Sequence, residues 1–244
     1  MFLNHFLLAN QHNFLLIVII SIYSVIMCGR FINLNRIDKL NKIFEIKKSK
    51  TFEDIISYNI APSQSTIIIT NSKFFKIEKA EWGIKFFDKR QNQEKNIINS
   101  RLETIQKKIL FKDSFEKRRC VIPANGYYEW SIKNNVKNPY FINIPDNEMI
   151  YFAGIWKYFN FNKSSLKVFS IITKPANLQL KEIHNRMPVT LSTDESKDYL
   201  DHNKSNYLTN NVKSNLEEYF EFFKISKFVN NPINNSSECI KPIN

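Results

Sequence analysis

The sequence is poor in glycine, which accounts for only 4 of its 244 residues. This share is far below the roughly 7% that is typical of proteins, so a collagen-like or glycine-rich low-complexity chain is excluded. The four glycines stand far apart, at positions 29, 83, 126 and 154. A phosphate-binding loop needs several glycines close together, so nucleotide hydrolysis and dinucleotide binding are disfavoured.

Cysteine is scarce as well. The three cysteines, Cys28, Cys120 and Cys239, are an odd number without paired or metal-like spacing. A disulfide scaffold and a zinc site are therefore not expected, and a reducing compartment fits best. We accordingly predict no metal ion, no cofactor and a cytoplasmic location.

Charge is absent from the first 26 residues, and the run from Phe14 to Ile26 is almost wholly apolar. A signal peptide should begin with basic residues and end in small ones, and a membrane span needs about 20 residues. The segment fits neither description well. A mis-called start before Met27, a membrane anchor and a cleaved signal all stay open. The first is favoured, so residues 1–26 are predicted to be an apolar leader without function or stable membrane association.

The remainder, residues 27–244, has the composition of one globular domain. Hydrophobic residues make up 43% of the sequence and charged residues 24%, and no linker or internal repeat divides it. The formal net charge of +12 falls entirely within this part. Such a charge favours an anionic partner, with nucleic acid first and a membrane surface second, although a general lysine bias would also produce it.

The hydrophobic pattern predicts a mixed α+β domain. Apolar residues recur at helical spacing over Asn33–Ile46 and Val212–Phe222. Extended segments dominate the middle of the chain, as in Thr66–Thr70 and Ile150–Trp156, without a regular βαβ alternation. We therefore predict a curved, mostly antiparallel β-sheet or barrel with peripheral helices.

Cys28 has special chemistry if synthesis starts at Met27, because removal of the initiator then makes Cys28 the N-terminal residue. Its thiol, with an ordinary pKa of about 8.5, and its α-amine, at about 7.7 to 8.0, would lie on neighbouring carbons. Together the two nucleophiles can close a five-membered thiazolidine ring on an aldehyde.

Four polar residues could carry chemistry, although each also has a structural explanation. His184 could be a surface residue beside a turn, and Glu129 could be a strand carboxylate paired with an arginine. Asn99 and Arg101 could be a helix cap and a member of an ion pair. Any functional argument therefore depends on their occurrence together with Cys28.

The local sequences around these residues form an ordered set of blocks. The blocks are Met27-Cys28-Gly29-Arg30-Phe31, Tyr58-Asn59-Ile60-Ala61-Pro62, Trp82-Gly83, Asn99-Ser100-Arg101-Leu102-Glu103-Thr104, Arg119-Cys120-Val121-Ile122-Pro123-Ala124-Asn125-Gly126-Tyr127-Tyr128-Glu129-Trp130, Ile183-His184-Asn185-Arg186-Met187-Pro188-Val189 and Val229-Asn230-Asn231-Pro232. In this order they resemble the SOS response-associated peptidase (SRAP) family, and the resemblance covers residues 27–244.

The resemblance implies a protein of the DNA damage response that binds single-stranded DNA containing an abasic site. It implies a covalent thiazolidine crosslink through Cys28, formed after autoproteolysis or an aminopeptidase removes the preceding residues, with an accompanying lyase activity. By the same resemblance, Glu129 would shuttle protons, His184 would protonate the sugar ring oxygen, and Asn99 would hold the Cys28 terminus. A monomer in the bacterial cytosol or at the nucleoid is expected.

The resemblance also implies a DNA-binding set. Arg30, Arg101 and Arg186 are predicted to contact phosphates beside the lesion. Trp82 and Trp130 are predicted to stack on or wedge against bases, with core packing as the alternative for both.

Two rival functions stay open at this stage. One is a cysteine-dependent peptidase acting on other substrates, with Cys28 as nucleophile and His184 as base. The other is a membrane-anchored, non-catalytic binder of single-stranded DNA that keeps residues 1–26.

Overall fold

The computed structural model describes residues 29–47, 53–88, 90–161, 164–204 and 214–243. These residues form two large β-sheets, one separate hairpin and three short α-helices. The predicted leader and Cys28 lie outside the described residues.

The helices and strands have the following bounds. The helices are α1 (Ile37–Ile43), α2 (Ile109–Lys117) and α3 (Thr193–Leu200). The strands are β1 (Arg30–Asn33), β2 (Ser57–Ile60), β3 (Ser65–Asn71), β4 (Phe75–Trp82), β5 (Ile84–Asp88), β6 (Gln93–Ile97), β7 (Asn99–Arg101), β8 (Arg119–Ala124), β9 (Gly126–Lys133), β10 (Val136–Asn143), β11 (Ile150–Phe161), β12 (Ser164–Pro175), β13 (Arg186–Pro188), β14 (Thr190–Leu191) and β15 (Glu221–Lys224).

The strands pair mostly antiparallel, as the sequence predicts. The smaller sheet has the order β15-β10-β9-β1-β2. In the larger sheet, β12, β4, β3, β8 and β11 pair in turn, and β11 pairs again with β12, so these five strands close into a barrel. Among the strands of the described residues, only the pairings of β12 with β4 and with β7 are parallel. The α+β prediction of a mostly antiparallel sheet or barrel with peripheral helices is confirmed.

Side chains along the barrel strands alternate between two apolar clusters, because successive residues of a strand point to opposite faces. On β3, Ile67 and Ile69 belong to the cluster that also contains residues of the three helices. The intervening Ile68 belongs to the cluster shared with the smaller sheet. The two clusters hold the smaller sheet and the helices against different parts of the barrel.

Two predicted helices are shorter than their hydrophobic patterns suggest. Residues 30–33 pair with β2 and β9 as β1, so the helix predicted from Asn33 begins only at Ile37. The described part of the predicted helix Val212–Phe222 is a single 3-10 turn followed by β15, which pairs with β10. In both places strand pairing prevails over a periodicity that also fits a helix.

The smaller sheet carries the segment with the predicted catalytic glutamate. Gly126 begins β9 with φ +152°, a conformation that L side chains rarely adopt. A Cβ on Gly126 would also lie 2.8 Å from the carbonyl oxygen of Ile142. Glycine is therefore required where the chain turns from β8 into β9, three residues before Glu129.

Candidate active site

Glu129 lies in the middle of the smaller sheet, on β9 between β1 and β10. Its residue exposure is only 2%. Arg30, the first residue of β1, lies opposite Tyr128, the direct neighbour of Glu129. The chain that follows Cys28 therefore enters the sheet beside this buried carboxylate.

His184 faces Glu129 from the loop between β12 and β13. Its Nε2 lies 4.0 Å from Oε1 of Glu129. Its Nδ1 accepts a hydrogen bond of 3.1 Å from the backbone N–H of Arg186, which leaves Nε2 to carry the proton of the neutral ring. Burial lowers the pKa of His184 below its ordinary value. The structure thus brings together two of the predicted catalytic residues, with the proton-bearing nitrogen toward the carboxylate.

Strand β12 aligns four of the other predicted site residues along its two edges. On one edge, Trp82 lies opposite Phe169, and Asn99 lies opposite Ile171. Arg101 follows on the same edge opposite Thr173, whereas Arg186 lies opposite Pro175 on the other edge, where β13 pairs. Residues 169 to 175 of a strand span about 20 Å. Segments that are up to 104 positions apart in sequence are therefore placed in order on one strand.

Asn99 begins β7 and is half-buried on the edge of β12 that also pairs with β4. Its neighbour Ser100 is buried. The Oγ atoms of Ser100 and of Ser170 on β12 lie 2.8 Å apart and form a hydrogen bond. β7 is thereby held to β12 by a side-chain contact as well as by the backbone ladder. The predicted role of Asn99 toward Cys28 stays a prediction, because Cys28 is outside the described residues.

The three predicted phosphate-binding arginines have different surroundings. The Arg186 guanidinium pairs with both carboxylate oxygens of Glu103 and donates to the carbonyl oxygen of Thr173 at 2.7 Å. Arg30 is half-buried against the C-terminal segment. Its guanidinium donates a hydrogen bond of 2.9 Å to the carbonyl oxygen of Val229. Arg101 is exposed. Two of the three cations are therefore already engaged within the protein, and the phosphate-binding role of all three stays a prediction.

Trp82 requires a correction. Its side chain is 0% exposed and lies parallel to the Phe169 ring, with centroids 6.3 Å apart. Its Nε1 donates to the carbonyl oxygen of Ile98 at 3.0 Å. A fully enclosed indole offers no face to a base, so the expected stacking role is wrong and Trp82 is a core residue.

Trp130 lies instead at the surface, in a cleft of about 370 Å³. Its Nε1 donates to Oδ1 of Asn230 at 2.8 Å, and the Lys137 ammonium lies 5.1 Å from its ring centroid. Gly29, the residue after Cys28, also lines the cleft. An indole and two cations thus surround the start of the described chain. The cleft is lined by Gly29, Arg30, Pro62, Trp130, Lys137 and Asn230.

A larger groove of about 620 Å³ lies between the end of α1 and the β3–β4 hairpin. None of the predicted site residues lines it. Size therefore does not identify the site here, and we assign the site by the convergence of Glu129, His184 and the start of β1.

Within the described ranges, no three His, Cys, Asp or Glu side chains are grouped so that they could hold a metal ion. The helices found there are also too short or too polar to cross a membrane.

Sequence reasoning did not single out several residues that support the site. Glu103 binds the Arg186 side chain, and Asn59 binds Arg30. Both residues belong to the sequence blocks of the family resemblance. Their partners are 83 and 29 positions away, so local periodicity contains no signal for them.

Comparisons with known proteins give the family of this chain. The family model of the SOS response associated peptidase (SRAP) matches residues 27–232. The abasic site processing protein YoqW of Bacillus subtilis is 33% identical over 224 residues, which cover 88% of this chain and 99% of the relative. The abasic site processing protein YoaM of the same organism is 34% identical, over 88% of this chain and 97% of the relative.

A more distant relative and a solved structure extend the comparison. The abasic site processing protein YedK of Escherichia coli is 26% identical, over 89% of this chain and 100% of the relative. A crystal structure of a protein from Bacteroides thetaiotaomicron has the same fold, with a TM-score of 0.71 and 21% identity, over 88% of this chain and all of that one. The chain therefore belongs to the SOS response associated peptidase (SRAP) family.

Proposed function

We propose that this protein processes abasic sites in single-stranded DNA by forming a covalent crosslink through Cys28. The observation that carries the proposal is the buried Glu129, which faces His184 at 4.0 Å beside the first residue of β1. The abasic site processing relatives support the substrate, and the family match that begins at residue 27 supports Cys28 as the working N-terminus.

The proposed reaction is the condensation of the Cys28 aminothiol with the aldehyde of the abasic site. An abasic deoxyribose opens to an aldehyde, whose carbon accepts the lone pair of the Cys28 α-amine. The resulting carbinolamine loses water to give an imine. The thiol sulfur then adds to the imine carbon, and the thiol proton passes to the nitrogen. One aldehyde and one aminothiol become one thiazolidine and one water, without any redox change.

Glu129 and His184 supply the proton transfers that these steps require. The Glu129 carboxylate takes a proton from the attacking amine and returns one to the departing hydroxyl. His184 delivers a proton to the ring oxygen as the sugar opens. Burial of Glu129 and partial burial of His184 limit the competition of bulk water for these protons, and the backbone N–H of Arg186 fixes which imidazole nitrogen faces the carboxylate.

DNA is held by charge and by one aromatic face. Trp130 in its cleft, with Lys137 over the ring, provides a surface on which a base beside the lesion can stack. Exposed Arg101 contacts the phosphate backbone, and the net charge of +12 attracts the strand over longer distances. We propose that the protein acts as a monomer without a metal ion or cofactor.

Removal of the residues before Cys28 is a condition of this activity. While the peptide bond to Met27 is intact, the nitrogen of Cys28 is an amide and cannot form an imine. Hydrolysis of that bond, by the protein itself or by an aminopeptidase, consumes one water and releases the amine. The leader of residues 1–26 is thus absent from, or removed from, the active protein.

The test compares protein expressed from Met27 with the full-length chain on single-stranded DNA that carries one abasic site. Protein beginning at Cys28 is expected to form an adduct that survives denaturing electrophoresis. Cys28→Ala should abolish the adduct, whereas the matched control Cys120→Ala, which alters a buried thiol, should retain it. Equal crosslinking by Cys28→Ala and wild type would refute the proposal.

A further inference from the structure

A buried amide on β2 binds a turn near the C-terminus. Asn59 is 1% exposed. Its Nδ2 donates to the backbone carbonyl oxygens of Val229 at 3.1 Å, Asn231 at 3.0 Å and Asn234 at 2.8 Å. The residues 229–234, here called the C-terminal turn, thus direct three carbonyl oxygens at one amide group.

The same amide also binds the start of β1. Oδ1 of Asn59 accepts a 2.9 Å hydrogen bond from Nη1 of Arg30. Arg30 donates in turn to the carbonyl oxygens of Val229 at 2.9 Å and Asn230 at 3.2 Å. Asn59, Arg30 and the C-terminal turn therefore form one closed network in which each member contacts the other two.

An amide supplies both kinds of hydrogen-bonding group that this network needs. The three carbonyl oxygens require a donor, and the Arg30 guanidinium requires an acceptor. Aspartate would keep the acceptor for Arg30 but would direct a carboxylate oxygen at the three carbonyl oxygens of the C-terminal turn. Alanine would leave these groups without their buried partner.

The network includes the beginning of the strand that follows the proposed nucleophile in the sequence. Arg30 is two positions after Cys28, and its backbone lies opposite Tyr128, beside Glu129. The hydroxyl of Tyr128 donates to the carbonyl oxygen of Tyr58 at 2.6 Å, which ties β9 to the residue before Asn59. The first strand residue after Cys28 is therefore fixed both by the ladder and by its side chain.

We propose that Asn59 is a positioning residue for the crosslinking reaction. By holding Arg30 against the C-terminal turn, it fixes where the chain leaves β1 and so keeps the Cys28 amine within reach of Glu129. This inference rests on the proposed function. It gives a role to two sequence blocks, Tyr58-Asn59-Ile60-Ala61-Pro62 and Val229-Asn230-Asn231-Pro232, that the crosslinking chemistry itself does not use.

The test measures crosslinking rate against DNA concentration for Asn59→Asp, in protein that begins at Cys28. The rate at saturating DNA should fall by about tenfold or more, since small displacements of reacting groups are costly. The concentration that gives half the maximal rate, and the affinity for the same strand without a lesion, should stay within about twofold. Reaction of the N-terminal cysteine with free formaldehyde should also keep its wild-type rate, because a small aldehyde needs no alignment with Glu129.

The matched control is Asn35→Asp. Asn35 is a buried amide, 3% exposed, whose Nδ2 donates to Asn33 and Asn125 near the other end of β1. It should lower the thermal midpoint comparably but leave the crosslinking rate unchanged. If Asn59→Asp does not fold, the crosslinking rate of Asn59→Ser is compared with that of the control instead. The serine side chain is shorter, so its hydroxyl cannot reach all the carbonyl oxygens.

Each outcome separates this inference from the proposed function. A folded Asn59 variant that crosslinks within twofold of wild type would overturn the positioning role, as would an equal loss in Asn35→Asp. An absence of any adduct with the wild-type protein would instead refute the crosslinking function on which the inference rests.

Discussion

Two buried carboxylates with nearly equal exposure have different neighbours. Glu217 is 5% exposed, pairs with the Lys174 ammonium and accepts the backbone N–H of Ser214 at 3.0 Å. Glu129 is 2% exposed and faces the His184 imidazole, whose pKa is lowered by burial. A lysine that pairs with a buried carboxylate forms a structural ion pair, and we call the Lys174–Glu217 pair and its neighbours the anchor region. An imidazole beside a buried carboxylate is instead suited to proton transfer.

The anchor region connects two segments of the chain. The backbone carbonyl of Glu217 accepts from Asn177, and that of Phe220 accepts from Gln179, at 3.2 and 3.0 Å. These contacts attach the segment before β15 to the loop that leads to His184. The anchor region thus stabilises the loop that carries His184. The candidate site contains the Glu129–His184 pair, in which the group facing the carboxylate is an imidazole.

The largest expected effect is on activity, from Glu129→Gln. Loss of the proton shuttle should lower the crosslinking rate at saturating DNA by about 10³-fold, within the range known for general acid–base groups. The amide is similar in size to the carboxylate, so the thermal midpoint should change little. Single-turnover kinetics and a melting curve on the same sample measure both. A variant as active as wild type would remove Glu129 from the mechanism.

The counterpart in the anchor region is Glu217→Gln. Removing one partner of a buried ion pair is expected to lower the free energy of unfolding by about 3 kcal/mol. The crosslinking rate per folded molecule should stay unchanged at a temperature well below the midpoint. Urea unfolding and the kinetic assay test the two expectations separately. A large fall in the crosslinking rate of folded Glu217→Gln would contradict the different roles of the two carboxylates.

His184 should make stability depend on pH. Its pKa is lower in the folded protein than its ordinary value of 6.5, so the unfolded chain binds more protons as the pH falls below 6.5. The free energy of unfolding should therefore decrease from pH 6.5 downward, through the folded pKa. His184→Gln should show a shallower decrease in urea unfolding between pH 8 and 5. An identical pH dependence in both proteins would contradict the burial effect.

The smallest expected effect concerns DNA binding by two arginines on strands that pair with opposite edges of β12. Arg101→Ala should reduce the slope of log affinity against log salt by about 0.7 for single-stranded DNA, since one phosphate contact is lost. Arg186→Ala should change the slope less, because Glu103 already neutralises its guanidinium. Equal changes would mean that Arg186 leaves Glu103 when DNA binds.

The sequence predicted the fold class because alternating apolar residues, such as those of β3, are a local signal. It could not assign Trp82, since an indole beside glycine fits a core and a DNA surface equally well, and only the position opposite Phe169 decides. The helix predicted from Asn33 was too long because residues 30–33 pair with strand residues 24 to 98 positions away.

The candidate site was accessible through the resemblance and not through periodicity. Glu129 and His184 are 55 positions apart, and nothing in either local pattern places them 4.0 Å from each other. The network of Asn59 spans 170 positions to Val229 and was equally hidden. Such contacts arise only when the sheet, the barrel and the C-terminal turn are assembled.

The intact mass of the DNA adduct tests the central claim most directly. Purified protein is mixed with a single-stranded oligonucleotide bearing one abasic site, denatured and weighed by mass spectrometry. The expected mass is that of the chain starting at Cys28 plus the oligonucleotide minus one water, and Cys28→Ser should give no stable adduct of this kind. An adduct that retains Met27 and the leader, or one that forms equally with Cys28→Ser, would contradict the crosslinking chemistry.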